Sequence, residues 1–140
     1  MALKAGNLAV GDTHRARVVE NLTRTQLVQY AGASGDYNPL HTDEVYTTQK
    51  AGYRSVFAHG MLTMGLTGKM LTDYVGDGRL TRFGVRFTNQ VWPGDTLDAT
   101  ATVAALRQEG GQHFVDLALS TVNQDGVEVI SGSATARIDP

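Results

Sequence analysis

The chain has 140 residues, 12 Lys+Arg against 14 Asp+Glu for a net charge of −2, and 0 Cys. That length suits one domain spanning residues 1–140, able to bury about 70% of its unfolded surface without staples. Disulfides, thiolate catalysis and Cys-ligated metals are excluded. The absence of a basic stripe argues against nucleic acid, and the absence of a long apolar run against a membrane span. The opening Met1-Ala2-Leu3-Lys4-Ala5-Gly6 lacks the apolar core of a signal peptide, so a cytoplasmic enzyme or binding domain is the expectation.

In chain order, Val10-Gly11-Asp12 reads as a turn, followed by a short strand through Val18-Val19. Thr23 stands three residues before Gln26, the spacing of a capping box, and Leu27, Tyr30 and Ala31 follow at helical spacing. That helix should end near Ser34-Gly35, where Gly suits a C-terminal cap. Asp36 to His41 is a polar loop containing Pro39, and Asp43 to Lys50 a short helix capped by Asp43. From His59 to Tyr74 the chain is helical again. Met61, Leu62, Met64, Leu66, Met70 and Leu71 surround much of the cylinder, broken mainly by Thr63, Thr67 and Lys69, which predicts a buried helix. Gly65 and Gly68 share a face and predict close backbone packing.

The second half alternates with a period of two. Phe83, Val85 and Phe87 are followed by Leu97 to Val103, Val115 to Leu119, and a last strand from Val127 towards Ile138. Gly110-Gly111 and Asp125-Gly126 are hairpin signals, and Trp92-Pro93-Gly94-Asp95 turns the chain. One buried helix followed by a twisted antiparallel sheet predicts an α+β fold, the sheet wrapped around the helix.

Two clusters can carry chemistry. Ser34-Gly35-Asp36-Tyr37-Asn38-Pro39-Leu40-His41 puts a carboxylate, an amide and an imidazole in one short loop. An Asp and a His brought together can grip one water and move protons near neutral pH; the same residue types also cap turns. Ala58-His59-Gly60-Met61 opens the buried helix, where unpaired N–H groups and partial positive charge can hold a polarised carbonyl; an ordinary loop-to-helix junction is the alternative. The four His lack the short His-to-His spacing of a zinc helix, so no metal is expected.

In their order along the chain, Tyr30, Ser34-Gly35-Asp36, Asn38-Pro39-Leu40-His41, Ala58-His59-Gly60-Met61, Val85-Arg86-Phe87 and Pro93-Gly94-Asp95-Thr96-Leu97 resemble the MaoC-like family of hotdog-fold hydratases and dehydratases, especially its small actinobacterial members. The resemblance implies a hotdog fold, a long central helix enclosed by a curved antiparallel β-sheet. It also implies reversible hydration of trans-2-enoyl thioesters to (R)-3-hydroxyacyl thioesters. Asp36 and His41 match the catalytic pair, Asn38 a supporting residue, and the Gly60 N–H the donor to the thioester carbonyl. Tyr30, Ser34, Gly35, Pro39, His59, Met61 and Arg86 are expected around the substrate, His59 in a packing or capping role. Gly68 stands where some hydratases place a Ser.

No cofactor is expected, because CoA or the pantetheine of an acyl carrier protein belongs to the substrate. The expected assembly is a homodimer, or a heterodimer with a second MaoC-like subunit. A hotdog thioesterase and a non-catalytic acyl-CoA-binding subunit are the rival readings.

Overall fold

The computed structural model describes residues 3–140; Met1 and Ala2, the first residues of the segment read as lacking a leader's apolar core, lie outside the described residues. Five strands, β1 (Thr13–Val19), β2 (Leu80–Phe87), β3 (Leu97–Glu109), β4 (Gln112–Val122) and β5 (Glu128–Ile138), form one antiparallel sheet in the order β1-β3-β4-β5-β2. Two α-helices accompany it among the described residues, α1 (Arg24–Ser34) and α2 (Gly60–Val75). The β3–β4 hairpin turns on Gly110 and Gly111, both at positive φ (57° and 78°), the backbone that a two-residue turn matching the strand twist requires.

The sheet curves around α2. Met70, Leu71 and Val75 pack against Ala99, Ala101, Val103, Leu117, Ala134 and Ala136 in one buried cluster. The alanines let the helix approach the sheet closely, and full burial of a side chain such as Leu71 is worth roughly 1.5–3 kcal/mol. A second cluster, with Leu22, Leu27, Val56, Ala58, Val91, Leu97 and Val129, sits at the other end of the molecule's core. It ties α1 and the 56–58 segment to the sheet beside the start of α2.

The buried stripe of α2 differs from the one its composition suggests. Thr63 and Thr67 are buried, whereas Met61 is 56% exposed. Residues 63, 67, 71 and 75 follow one another at i, i+4 spacing down the face turned to the sheet, so position on the cylinder outweighs hydropathy. The Thr67 hydroxyl is satisfied there by Thr121 at 2.8 Å. Of Gly65 and Gly68, only Gly68 meets a close neighbour: a Cβ there would lie 3.1 Å from the Phe83 ring, while Gly65 faces open space. Asp43 caps its segment as expected, its Oδ1 accepting from the Tyr46 N–H at 3.0 Å, but the turn that follows, Tyr46–Lys50, is π-helical. No helix among the described residues is long and apolar enough to cross a membrane.

Candidate active site

The loop after α1 is built by local hydrogen bonds. Thr23 and Gln26 form both halves of the capping box, and α1 ends on Gly35 in the left-handed conformation at φ 75°. Ser34 Oγ donates to the Tyr30 carbonyl at 2.7 Å and accepts from the Asp36 N–H at 3.1 Å. Asp36 Oδ1 accepts from the Asn38 N–H, and Asn38 Oδ1 caps the turn Pro39–His41 by accepting from the Leu40 N–H at 3.0 Å. Each polar side chain thus fixes the next peptide, and the loop delivers Asp36 and His41 to one place.

A second segment closes on the first. The Phe57 N–H donates to the Leu40 carbonyl at 3.2 Å, and the Phe57 carbonyl accepts from His41 Nδ1 at 2.7 Å. A carbonyl oxygen only accepts, so Nδ1 carries the proton; in the neutral ring Nε2 then presents a lone pair. That Nε2 lies 4.0 Å from Asp36 Oδ2, with the His41 side chain 11% exposed and that of Asp36 53% exposed. Two acceptors at this separation do not bond each other, but suit the two hydrogens of one water molecule.

His59 holds this pair from behind. Its ring is 1% exposed, stacks on His41 at 3.8 Å between centroids, and meets Tyr30 edge-on at 4.8 Å. Nε2 donates to the Asp36 carbonyl at 3.1 Å, leaving Nδ1 buried without a partner. Burial, reinforced by the neighbouring His41 ring, lowers the His59 pKa below the ordinary imidazole value. Asp36, His41 and His59 can each offer a metal-ligand atom within 4.8 Å of the others. The two rings stack with 22° between their planes, so their in-plane lone pairs lie in separate, nearly parallel layers.

His59 is the residue that leads into α2. The Gly60 and Met61 N–H groups, first of that helix, make no hydrogen bond among the described residues. A cavity of about 320 Å³ opens beside them, lined by Phe57, Ala58, Gly60, Thr63, Phe87 and Val129 and edged by Thr88, Asn89 and Gln90. The dyad and the cavity share the segment Phe57–Gly60.

The residues expected around the substrate are spread over the loop, α1, α2 and β2. Ser34, Gly35 and Pro39 shape the loop, and Tyr30 supports His59. Met61 is exposed beside the helix start. Arg86 lies on the face of β2 turned away from α2, in a shallow groove with Arg82, Ser131 and Ser133. Phe83 and Phe87 contact α2 through Gly68 and Gly60, and the period of two therefore turns Arg86 away. Missing from the sequence reading is Phe57, whose contribution is a carbonyl that any residue type would carry.

A family model described as "MaoC like domain" matches residues 6–124. The (R)-specific enoyl-CoA hydratase of Rhodospirillum rubrum is 33% identical over 125 residues, covering 88% of this chain and 84% of that protein. The 3-hydroxyacyl-thioester dehydratase Y of Mycobacterium tuberculosis is 37% identical over 89 residues, covering 61% of this chain and 31% of that protein, so the matched region is under a third of that relative's length. Among solved structures, the (R)-hydratase of Aeromonas caviae involved in PHA biosynthesis superposes with a TM-score of 0.84 at 26% identity, covering 96% of this chain and 99% of that one.

The lowered His59 pKa carries a stability prediction. The unfolded chain takes up a proton on this imidazole below about pH 6.5, where the folded state still resists it. The His59 contribution is therefore full above that pH and is lost as pH falls through the depressed folded value. Urea unfolding of the wild type and of His59→Gln at pH 7.5 and 5.5 should show the wild type losing more stability than the variant. Equal losses would contradict the buried neutral ring.

Proposed function

Because the chain belongs to the MaoC-like domain family, we propose that it adds water reversibly to trans-2-enoyl thioesters, forming (R)-3-hydroxyacyl thioesters. The observation that carries this reading is the His41 Nε2 lone pair held 4.0 Å from Asp36 Oδ2, next to the unpaired N–H groups that start α2. The C3 carbon of an enoyl thioester is electrophilic only when its carbonyl is polarised. With the thioester oxygen at the Gly60 N–H, the developing enolate charge is met by a fixed donor and by the positive end of the helix dipole.

Water gripped by Asp36 and His41 gives one proton to His41 Nε2 as its oxygen bonds to C3. A proton returned by the dyad to C2 completes the addition, so one H₂O is gained and no electron changes hands. Dehydration is the same path reversed. The chemistry uses no metal or redox cofactor, and the CoA or carrier-protein pantetheine arrives as part of the substrate. A passive subunit would leave the paired acceptors without a task, and a thioesterase would be revealed by release of free thiol.

A partner subunit is part of the proposal. Asp36 is half open to solvent, and Met61 and Phe87 leave apolar surface exposed near the cavity. β2 ends the sheet with an unpaired edge. A second copy, or a second MaoC-like subunit, would cover these features.

Asp36→Asn and His41→Ala should each lower kcat on a trans-2-enoyl-CoA by roughly 10²–10⁴-fold, with strongly non-additive effects in the double variant, since both groups act on one water. Steady-state hydration kinetics, with circular dichroism to confirm folding, checks this; near wild-type turnover in either variant would contradict the mechanism. Light scattering of the wild type should return at least twice the chain mass, and a fully active monomer would contradict the assembly.

A further inference from the structure

The cavity beside α2 contains a second polar group that the dyad does not use. Thr63 is 3% exposed and lines the cavity together with Gly60. Its hydroxyl makes no hydrogen bond to the described residues, and His59 Nδ1 is the one fully buried side-chain polar atom left unpaired among them, so the Thr63 oxygen is open to the cavity; the other buried threonines are bonded within the protein. Thr47 donates to the Asp43 carbonyl, Thr67 and Thr121 bond each other, and Thr135 donates to Asp116. The carbonyl one turn back, that of His59, accepts from the Leu62 and Thr63 N–H groups at 3.1 and 3.3 Å and receives no bond from the Thr63 hydroxyl. A hydroxyl that bonds nothing in the protein and opens on a cavity is free to bond a group that enters it.

Its place on the helix says which atom that partner is. Side chains of an α-helix lean towards its N-terminus, and residues three apart share a face, so Thr63 stands over the first turn at Gly60. Gly60 has no side chain to intervene; a Cβ there would press on the Phe87 ring at 3.1 Å. The open Gly60 N–H and the unpartnered Thr63 hydroxyl therefore flank one small volume.

We propose that Thr63 is a further catalytic residue, its hydroxyl donating a second hydrogen bond to the thioester oxygen held at the Gly60 N–H. This assignment rests on the enoyl-thioester reading of the site. The bond strengthens as charge moves from C3 through the conjugated system onto that oxygen, so it acts on the transition state more than on bound substrate. No covalent bond to Thr63 forms, and its proton stays on the hydroxyl.

Thr63→Val keeps the shape and removes the donor, while Thr63→Ser keeps the donor and removes a methyl. Two readouts separate chemistry from packing: hydration kinetics on a trans-2-enoyl-CoA, and the absorption of bound cinnamoyl-CoA, whose band moves to longer wavelength as its carbonyl is polarised. Thr63→Val should lower kcat by roughly 10²–10³-fold with KM changed only a few-fold, and should shrink the red shift. Thr63→Ser should retain most of both. Unchanged kcat and red shift in Thr63→Val would overturn the assignment. So would equal losses in Val and Ser accompanied by a lowered melting temperature, which mark a packing role. Should Thr63→Val fail to fold, the same comparison is made with Thr63→Ala, which lacks the donor without adding bulk. A wild type that red-shifts cinnamoyl-CoA but hydrates nothing would remove the hydratase reading and leave the donor in place. A wild type showing neither would overturn both.

Discussion

The hydrogen bond from His41 Nδ1 to the Phe57 carbonyl, 2.7 Å long, is the contact on which the site depends. It fixes the ring's tautomer, and with it the direction of the lone pair that faces Asp36. It also joins two segments distant in sequence, because the same residue's N–H donates to the Leu40 carbonyl one position before His41. The two bonds form a reciprocal pair, so the loop cannot move away from Phe57 without losing both.

Phe57 is in turn held by its neighbours. The Val56 N–H donates to Glu44 Oε2, and the Ala58 N–H donates to the Val91 carbonyl at 2.8 Å. Val56 and Ala58 are buried in the cluster that includes Leu27 of α1 and Leu97 and Val129 of the sheet. Apolar burial thus positions a backbone carbonyl, the carbonyl orients an imidazole, and the imidazole faces a carboxylate. His59 closes the arrangement from the other side, stacked on His41 and donating to the backbone of Asp36 while leading into α2. The first N–H groups of α2 and the Asp36–His41 pair are consequently held by one continuous piece of chain, residues 56–60.

Much of this was legible in the sequence wherever side chains report directly on local backbone. Thr23 and Gln26 announced both bonds of a capping box, Gly35 a left-handed helix end, and Gly110-Gly111 a tight hairpin. The alternation along β3 and β4 and the start of α2 beside Gly60 were equally readable. Asp36 and His41 stood out because their residue types are dense in one loop. What stayed hidden depends on tertiary placement. The Phe57 contribution is a carbonyl, which no residue type signals. Thr63 and Thr67 looked like breaks in an apolar helix because hydropathy does not say which side meets the sheet. The face of β2 that Arg86 occupies follows from the pleat and from which neighbours meet α2. His59 could be read as packing, and is buried, but its donation to Asp36 requires the loop and helix to be seen together.

The protonation pattern of His41 tests this account most directly. Nitrogen-15 NMR of the imidazole side chains at neutral pH, assigned by comparison with His41→Ala, distinguishes the two neutral tautomers. The structure predicts that His41 carries its proton on Nδ1 and presents Nε2 as an unprotonated acceptor. A neutral His41 protonated on Nε2 would contradict the account, because the nitrogen facing Asp36 would then be a donor with no lone pair to take a proton from water.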